Sequence, residues 1–180
     1  MRALKVLGLA TALMMGAPTA GWVSTAEAGS HATVSRDLVM ERDLLGRSKG
    51  RGFFSNILGQ RRDFTVDFDG RWDGNTLTLA EVIRFDDGPV ERYTWRLTKT
   101  GPNTYTGVRE GVVGQARVVA NGREVVMEYT ADVKGPDGGV TRLRFEDVLI
   151  KRGNGSILNR ARAYLGGVQV GWVSIDITRR

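Results

Sequence analysis

The chain has 180 residues, no cysteine, and 26 lysines and arginines against 20 acidic residues, which gives a formal net charge of +6. This length suits one domain with a hydrophobic core, and without cysteine no disulfide can hold that domain together. The basic residues are interleaved with acids along the chain, whereas nucleic-acid-binding proteins usually gather them in a patch or an arm. We therefore do not expect nucleic acid as a partner.

The first 28 residues have the three parts of a secretory signal peptide. A basic start precedes an apolar run from Val6 to about Ala17, and a small-x-small cleavage site follows at residues 26–28. The apolar run is shorter than the roughly 18 residues that a membrane-spanning helix needs. We predict cleavage after Ala28, a mature chain without a transmembrane segment, and export to the bacterial periplasm.

Residues 29–60 are predicted to form an N-terminal segment that is partly mobile. Within it, "SRDLVMERDLLGRS" at residues 35–48 is the one stretch that could be helical. His31 is the only histidine and lies in the part that we expect to be mobile. The sequence therefore gives no support for a Ser-His-Asp site or a histidine metal site.

Hydrophobic residues alternate with polar ones from about Arg61 to Arg180, and glycine-centred turns interrupt this pattern roughly every ten residues. The pattern predicts an all-β domain over residues 61–180, with about eight to ten antiparallel strands. Consecutive short hairpins favour a single up-and-down β-barrel, because closing the sheet removes its exposed edges.

Two turns fix the register around "LTLAEVIRF", residues 77–85. The turn at Asp73–Asn75 predicts a two-residue loop, and the turn at Asp86–Gly88 predicts a three-residue loop. Both loops direct the same apolar face inward, and Glu81 stands in the middle of that face. The predicted pairs are Trp72 with Leu77, Phe68 with Glu81, Val66 with Ile83, Phe64 with Phe85, Glu81 with Tyr93, Leu79 with Trp95, and Leu77 with Leu97.

A third hairpin is predicted at Asn121-Gly122, the dipeptide that most strongly favours a two-residue hairpin loop. In this register small residues face large ones across the two strands. The predicted pairs are Val118 with Val125, Ala116 with Met127, and Gly114 with Tyr129.

A second acid, Asp147, shares the apolar face of "RLRFEDVLI", residues 142–150. An unpaired charge inside a core costs several kcal/mol, so both acids must be paired, hydrated or protonated. Arg160 is a candidate partner for Asp147. A two-residue loop at Gly153-Asn154 would put Arg160 opposite Asp147, whereas a three-residue loop that includes Gly155 would put Ala161 there.

Three explanations of the inward acids stay open at this point. An inward arginine or a tyrosine hydroxyl could satisfy each acid inside a packed barrel, which would then be a structural or partner-binding envelope protein. Alternatively, the acids could orient a ligand in the barrel, where Gly114, Ala116, Ala161 and Ala163 would leave room. As a third alternative, Glu81 and Asp147 could act as the carboxylate pair of a hydrolase.

The leading hypothesis is the binding of a small apolar or amphipathic molecule in the barrel interior, and we expect a binding protein rather than an enzyme. No glycine-rich phosphate loop leads into a helix, and "DFDGRWDGN" at residues 67–75 lacks the terminal glutamate of a calcium loop. We therefore predict neither a cofactor nor a metal, and the sequence indicates no particular protein partner. The predicted ligand-binding residues are Phe68, Glu81, Tyr93, Trp95, Tyr129 and Asp147.

Three stretches resemble a bacterial family catalogued as domain of unknown function 3833: residues 64–97, "YTGVREGVVGQA" at 105–116, and "LRFEDVLI" at 143–150. The resemblance implies an exported, lipocalin- or calycin-like β-barrel and implies no activity. Many relatives look like lipoproteins, whereas this chain has no cysteine to carry a lipid, and Val148 stands where the family has a tryptophan. Glu81 and Asp147 fall on motif positions of the family, which favours a role beyond packing.

Overall fold

The part of the chain that the structure describes forms ten antiparallel strands, closed into one barrel. The structure is a computed structural model, and it describes residues 36–88, 90–135 and 138–180. Each strand pairs with its neighbours in sequence, and the first strand also pairs with the last. The prediction of an all-β up-and-down barrel with eight to ten strands is confirmed. In chain order the elements are α1 (Met40–Asp43), β1 (Gly46–Asn56), β2 (Arg61–Trp72), β3 (Thr76–Phe85), β4 (Val90–Gly101), β5 (Thr104–Val108), β6 (Val112–Asn121), β7 (Glu124–Lys134), β8 (Val140–Lys151), β9 (Ile157–Leu165) and β10 (Val168–Arg179).

The barrel begins at Gly46 and not at Arg61, so the predicted boundary was wrong. The strand β1 carries glycines at inward positions, where a strand normally shows its apolar residues. A Cβ at Gly50 would lie only 2.7 Å from the side chains of Ile175 and Val66, because these neighbours fill the space. The inward face of β1 therefore lacks the hydrophobic alternation that identifies a strand in a sequence.

The predicted signal peptide and His31 lie outside the described residues. The stretch predicted as helical, residues 35–48, is described from residue 36; there only Met40–Asp43 is helical, and the last three residues of the stretch already belong to β1. No helix in the described ranges is long and apolar enough to cross a membrane.

The predicted register is confirmed across β2, β3 and β4, where all seven expected pairs form. The β6–β7 register was wrong. Asn121 pairs with Glu124, so the loop residues are Gly122 and Arg123, and Val118 faces Met127 rather than Val125. Gly122 takes the positive φ of +55° that the first position of such a loop requires. The observed register is shifted by two residues from the predicted one. Because side chains alternate between the two faces, the same residues still point inward.

One end of the barrel, here called the closed end, is covered by the segment Leu38–Leu44. Leu38, Met40 and Leu44 are almost fully buried. The Leu38 N–H donates to the carbonyl of Gly122 at 2.9 Å. A Cβ at Gly70 would lie 1.8 Å from the Leu44 carbonyl oxygen, so this contact needs glycine. The segment therefore packs directly on the strand backbone.

Ionic contacts hold the same segment in place. The Lys151 ammonium lies 3.0 Å from the Asp43 carboxylate, and both side chains are largely buried. The Glu41 carboxylate accepts hydrogen bonds from Lys99 and from the Tyr105 hydroxyl. These charges are paired away from bulk water, so removing one partner would leave the other poorly solvated.

Burial of the inward side chains decreases towards the opposite end, here called the open end. Near the closed end the inward residues Leu77, Leu97 and Val118 are at most 1% exposed. Nearer the open end, the inward residues Ile83 and Tyr93 are only half-buried. The interior is thus packed at the closed end and accessible at the open end.

Candidate functional site

Glu81 lies on the inner wall of β3, directly between Phe68 on β2 and Tyr93 on β4. Protein atoms surround its carboxyl group, although the residue keeps partial contact with solvent. Burial raises the pKa of Glu81 to about 7; the nearby Arg109 opposes this shift, and Asp147 and Glu110 reinforce it. No hydrogen bond joins the Glu81 carboxyl group to another described residue, and the residue is partly open to solvent.

Asp147 lies on β8 between Met127 and Ala161, and it faces the same interior. Burial raises its pKa to about 6, against hydrogen bonds from Tyr129 and Asn159 and the charge of Arg109. The pKa of the Tyr129 hydroxyl is raised in turn, by burial first and then by the Asp147 charge. Asp147 therefore has hydrogen-bond partners inside the barrel, and one of them is a tyrosine hydroxyl. This agrees with the alternative in which internal groups satisfy the inward acids.

Arg160 is not the partner of Asp147. The β8–β9 loop contains three residues, Gly153 to Gly155, so Ala161 faces Asp147 and Arg160 faces Val148. Gly155 takes φ +82° in this loop, which is why the longer loop forms. Arg160 is exposed on the outer wall, and its role as a structural partner of the acid is wrong.

The arginine that does enter the interior is Arg109, which follows β5. Its guanidinium carbon lies 4.2 Å from the ring centroid of Tyr93 and 5.1 Å from that of Trp95, within the range of cation–π attraction. Its Nε atom is buried and has no hydrogen-bond partner. Arg109 was not among the predicted site residues, although alternation from the inward Tyr105 and Gly107 points it inward.

Aromatic rings form the wall beside these polar groups. Trp95 and Tyr129 meet edge to face with their centroids 5.2 Å apart, and Tyr129 stacks on Phe145 at 5.1 Å. Phe68 is buried beside Glu81. All six predicted ligand-binding residues thus face the interior, and Arg109, Phe145 and Asn159 join them. We call Glu81, Arg109, Tyr129, Asp147 and Asn159 the interior polar cluster.

Two surface depressions lie away from the interior polar cluster. Two depressions, of about 360 and 210 Å³, open on the outside of the barrel. The first is lined mainly by β5 and β6, the second mainly by residues of β1, β2 and β3, and neither includes an inward acid. The inward side chains are more accessible at the open end, so a molecule that reaches the cluster enters there.

The family and fold of the chain can be compared with known proteins. A family model described as "Protein of unknown function (DUF3833)" matches residues 20–179. No curated protein matches the chain. The resemblance expected from the sequence motifs is therefore confirmed over nearly the whole chain.

Solved structures of other proteins share the barrel. The S-type phycobiliprotein lyase CPES from Guillardia theta has a TM-score of 0.55 and 10% identity, over 77% of this chain and 89% of that protein. Rv2717c from M. tuberculosis has a TM-score of 0.54 and 16% identity, over 77% and 94%. A DUF3598 protein of unknown function from Nostoc punctiforme has a TM-score of 0.51 and 14% identity, over 81% of this chain and 51% of its own.

These identities show a common fold and nothing further. The shared fold is the single closed antiparallel β-barrel that the alternation and the hairpin turns predicted. The match of the family model to residues 20–179 shows that the chain belongs to the family described as protein of unknown function DUF3833.

Proposed function

We propose that the barrel binds a small amphipathic molecule whose uncharged polar end reaches the interior polar cluster. The observation that carries this proposal is the buried Arg109 Nε–H, which has no hydrogen-bond partner in the described part of the chain and lies near the Glu81 carboxyl group. The Glu81 carboxyl group has no hydrogen-bond partner among the described residues, and the buried Arg109 Nε–H has none either. Buried polar groups are normally satisfied, and unsatisfied ones require an explanation.

The two groups define the chemistry of the polar end. Arg109 offers a donor, and Glu81, whose pKa is raised to about 7, either donates or accepts near neutral pH. A hydroxyl or an amide on the ligand satisfies both groups. An anionic end fits less well, because above pH 7 one arginine faces two ionised acids.

The wall between the cluster and the open end suits an apolar tail. Ile83, Phe85, Phe145 and Val173 point inward there and are only half-buried. Covering such surface stabilises a complex by about 25 cal/mol per Å². Trp95 and Tyr129 contribute broad contact area beside the polar end. The structural relatives are related in fold alone, so the ligand class rests on these residues.

A matched pair of fluorescent probes tests this proposal: a dansyl-labelled undecanol and the corresponding dansyl-labelled undecanoic acid. We expect the alcohol to bind at least about tenfold more tightly than the acid at pH 8. The difference should shrink at pH 5, where the Glu81 carboxyl is largely protonated and no longer repels an anionic probe.

Variants locate the probe. Arg109→Gln should weaken binding of the alcohol by about tenfold, the typical loss when a charged donor is removed. The matched control is Arg117→Gln, because Arg117 lies on the outer wall opposite Glu128. If the unaltered chain binds neither probe, or if the two arginine variants bind alike, the proposal is wrong. A packed structural or partner-binding barrel would then be the better description.

The hydrolase alternative has no support in the geometry or in the comparisons. We also propose that the protein is exported to the bacterial periplasm, on the basis of the signal-like residues 1–28. N-terminal sequencing of the protein from its own host tests this: a start at Gly29 supports export, and an intact Met1 contradicts it.

A further inference from the structure

Exposed apolar side chains are concentrated at the open end of the barrel. Ten large hydrophobic residues are exposed among those the structure describes, and nine of them lie in or beside the five hairpin turns at this end. Every one of the five turns contributes at least one. We call these nine residues the apolar rim: Ile57, Leu58, Val90, Val108, Val113, Val133, Val140, Leu165 and Val168.

The rest of the described surface is different. Turns at the closed end expose polar residues such as Asn75, Asn103 and Asn154. The tenth exposed hydrophobic residue, Trp172, is on the wall of β10. Single exposed hydrophobic residues are normal, but here nine of the ten lie at one end of the barrel.

Three arginines beside the rim are paired with acids. Arg61 lies 2.7 Å from Asp63, and Arg62 lies 3.1 Å from Asp87. On the other side of the barrel Arg142 contacts Asp132 at 2.8 Å. Such pairing lowers the electrostatic cost of bringing this end close to an uncharged surface.

We propose that the apolar rim docks the open end of the barrel on an uncharged lipid surface. The rim residues stand on five separate hairpins around the mouth of the barrel, so they form a ring of tips and no flat patch. A bilayer interface can fill the space between separate tips, whereas a folded partner needs a continuous complementary surface. The paired charges complement zwitterionic headgroups, and the arginine stems can extend to them. This inference does not depend on what the interior binds.

The absence of cysteine permits a direct test with single labelled positions. Leu58→Cys and Asn75→Cys would each carry an environment-sensitive nitrobenzoxadiazole group in the full chain, on the rim and at the closed end respectively. With phosphatidylcholine vesicles, we expect a blue shift and stronger emission at position 58 and no change at position 75. Unchanged emission at position 58 would overturn the proposal, and so would equal changes at both positions.

Vesicle co-sedimentation gives the second measurement. The double variant Leu58→Glu, Val168→Glu should lose at least about tenfold in affinity for phosphatidylcholine vesicles, because placing a carboxylate in the interface is unfavourable and two apolar contacts are lost. The matched control, Asn75→Glu with Asn103→Glu, adds the same charge at the closed end and should bind like the unaltered chain.

Three outcomes contradict the proposal. Equal binding by the two double variants would show that the rim does not contact lipid. Binding that needs anionic lipid and disappears with salt would attribute the contact to the net positive charge of the chain. A dimer that the rim variant dissociates in sedimentation velocity, without vesicle binding by the unaltered chain, would assign the rim to a second copy.

Discussion

Replacing Glu81 by glutamine should change how stability depends on pH. Burial raises the pKa of Glu81 from 4.5 to about 7, so the folded protein holds this proton at a pH where the unfolded chain has released it. Between these two values the folded state binds more protons, and its stability decreases as pH rises. The difference of about 2.5 pH units between the two pKa values corresponds to about 3 kcal/mol. Glutamine cannot ionise and avoids this cost.

Urea denaturation at pH 5 and pH 8 measures the effect. At pH 5 the variant and the unaltered protein should have similar free energies of unfolding, and at pH 8 the variant should be more stable by about 3 kcal/mol. Glu128→Gln is the control, because Glu128 is on the outer wall beside Arg117 and should leave the pH dependence unchanged. A constant difference at both pH values, or a less stable Glu81→Gln at pH 8, would show that Glu81 is ionised and paired in the fold, and our reasoning would be wrong.

Two predictions concern the segment that covers the closed end. Gly70→Ala should destabilise the fold by about 3 kcal/mol in thermal and urea unfolding, because the new Cβ would overlap the Leu44 carbonyl. The control is Gly153→Ala, which should change stability little because open space surrounds that position. Equal effects of the two variants would refute the contact between Gly70 and Leu44. Asp43→Asn should destabilise by about 2 kcal/mol at pH 7. Burial alone would raise the pKa of Asp43, but hydrogen bonds from Arg42, Val39 and Lys151 outweigh burial and lower it. The contribution of this carboxylate is therefore present above about pH 4 and is lost as pH falls further. A destabilisation that persists at pH 2 would contradict this explanation.

The sequence predicted the β2–β4 sheet well because three local signals agree there. Gly74-Asn75 and the turn before Gly88 each permit one register, and hydrophobic alternation selects the same face. The β6–β7 hairpin failed because Asn121-Gly122 is compatible with two neighbouring loop positions, and both keep the same face inward. The choice between them depends on contacts with other strands, which no local pattern contains.

The candidate site was predicted in part. Alternation alone placed Glu81 and Asp147 inside, since a strand has only two faces. Alternation continued past the end of β5 points Arg109 inward as well, but it does not show that the guanidinium group reaches the acids of β3 and β8. The distance between acids on β3 and β8 depends on how the whole barrel closes, and strand pairs read one at a time do not determine it.

The pairing of β1 with β10 has a consequence for biosynthesis. The two strands lie at opposite ends of the described chain, and the barrel has free edges until both are available. A nascent chain that has reached only β9 presents two unpaired strand borders, which are templates for aggregation. Contacts so distant in sequence also form slowly. Until its last strand is in place, this barrel is therefore more exposed to edge-to-edge aggregation than a helical protein of equal length.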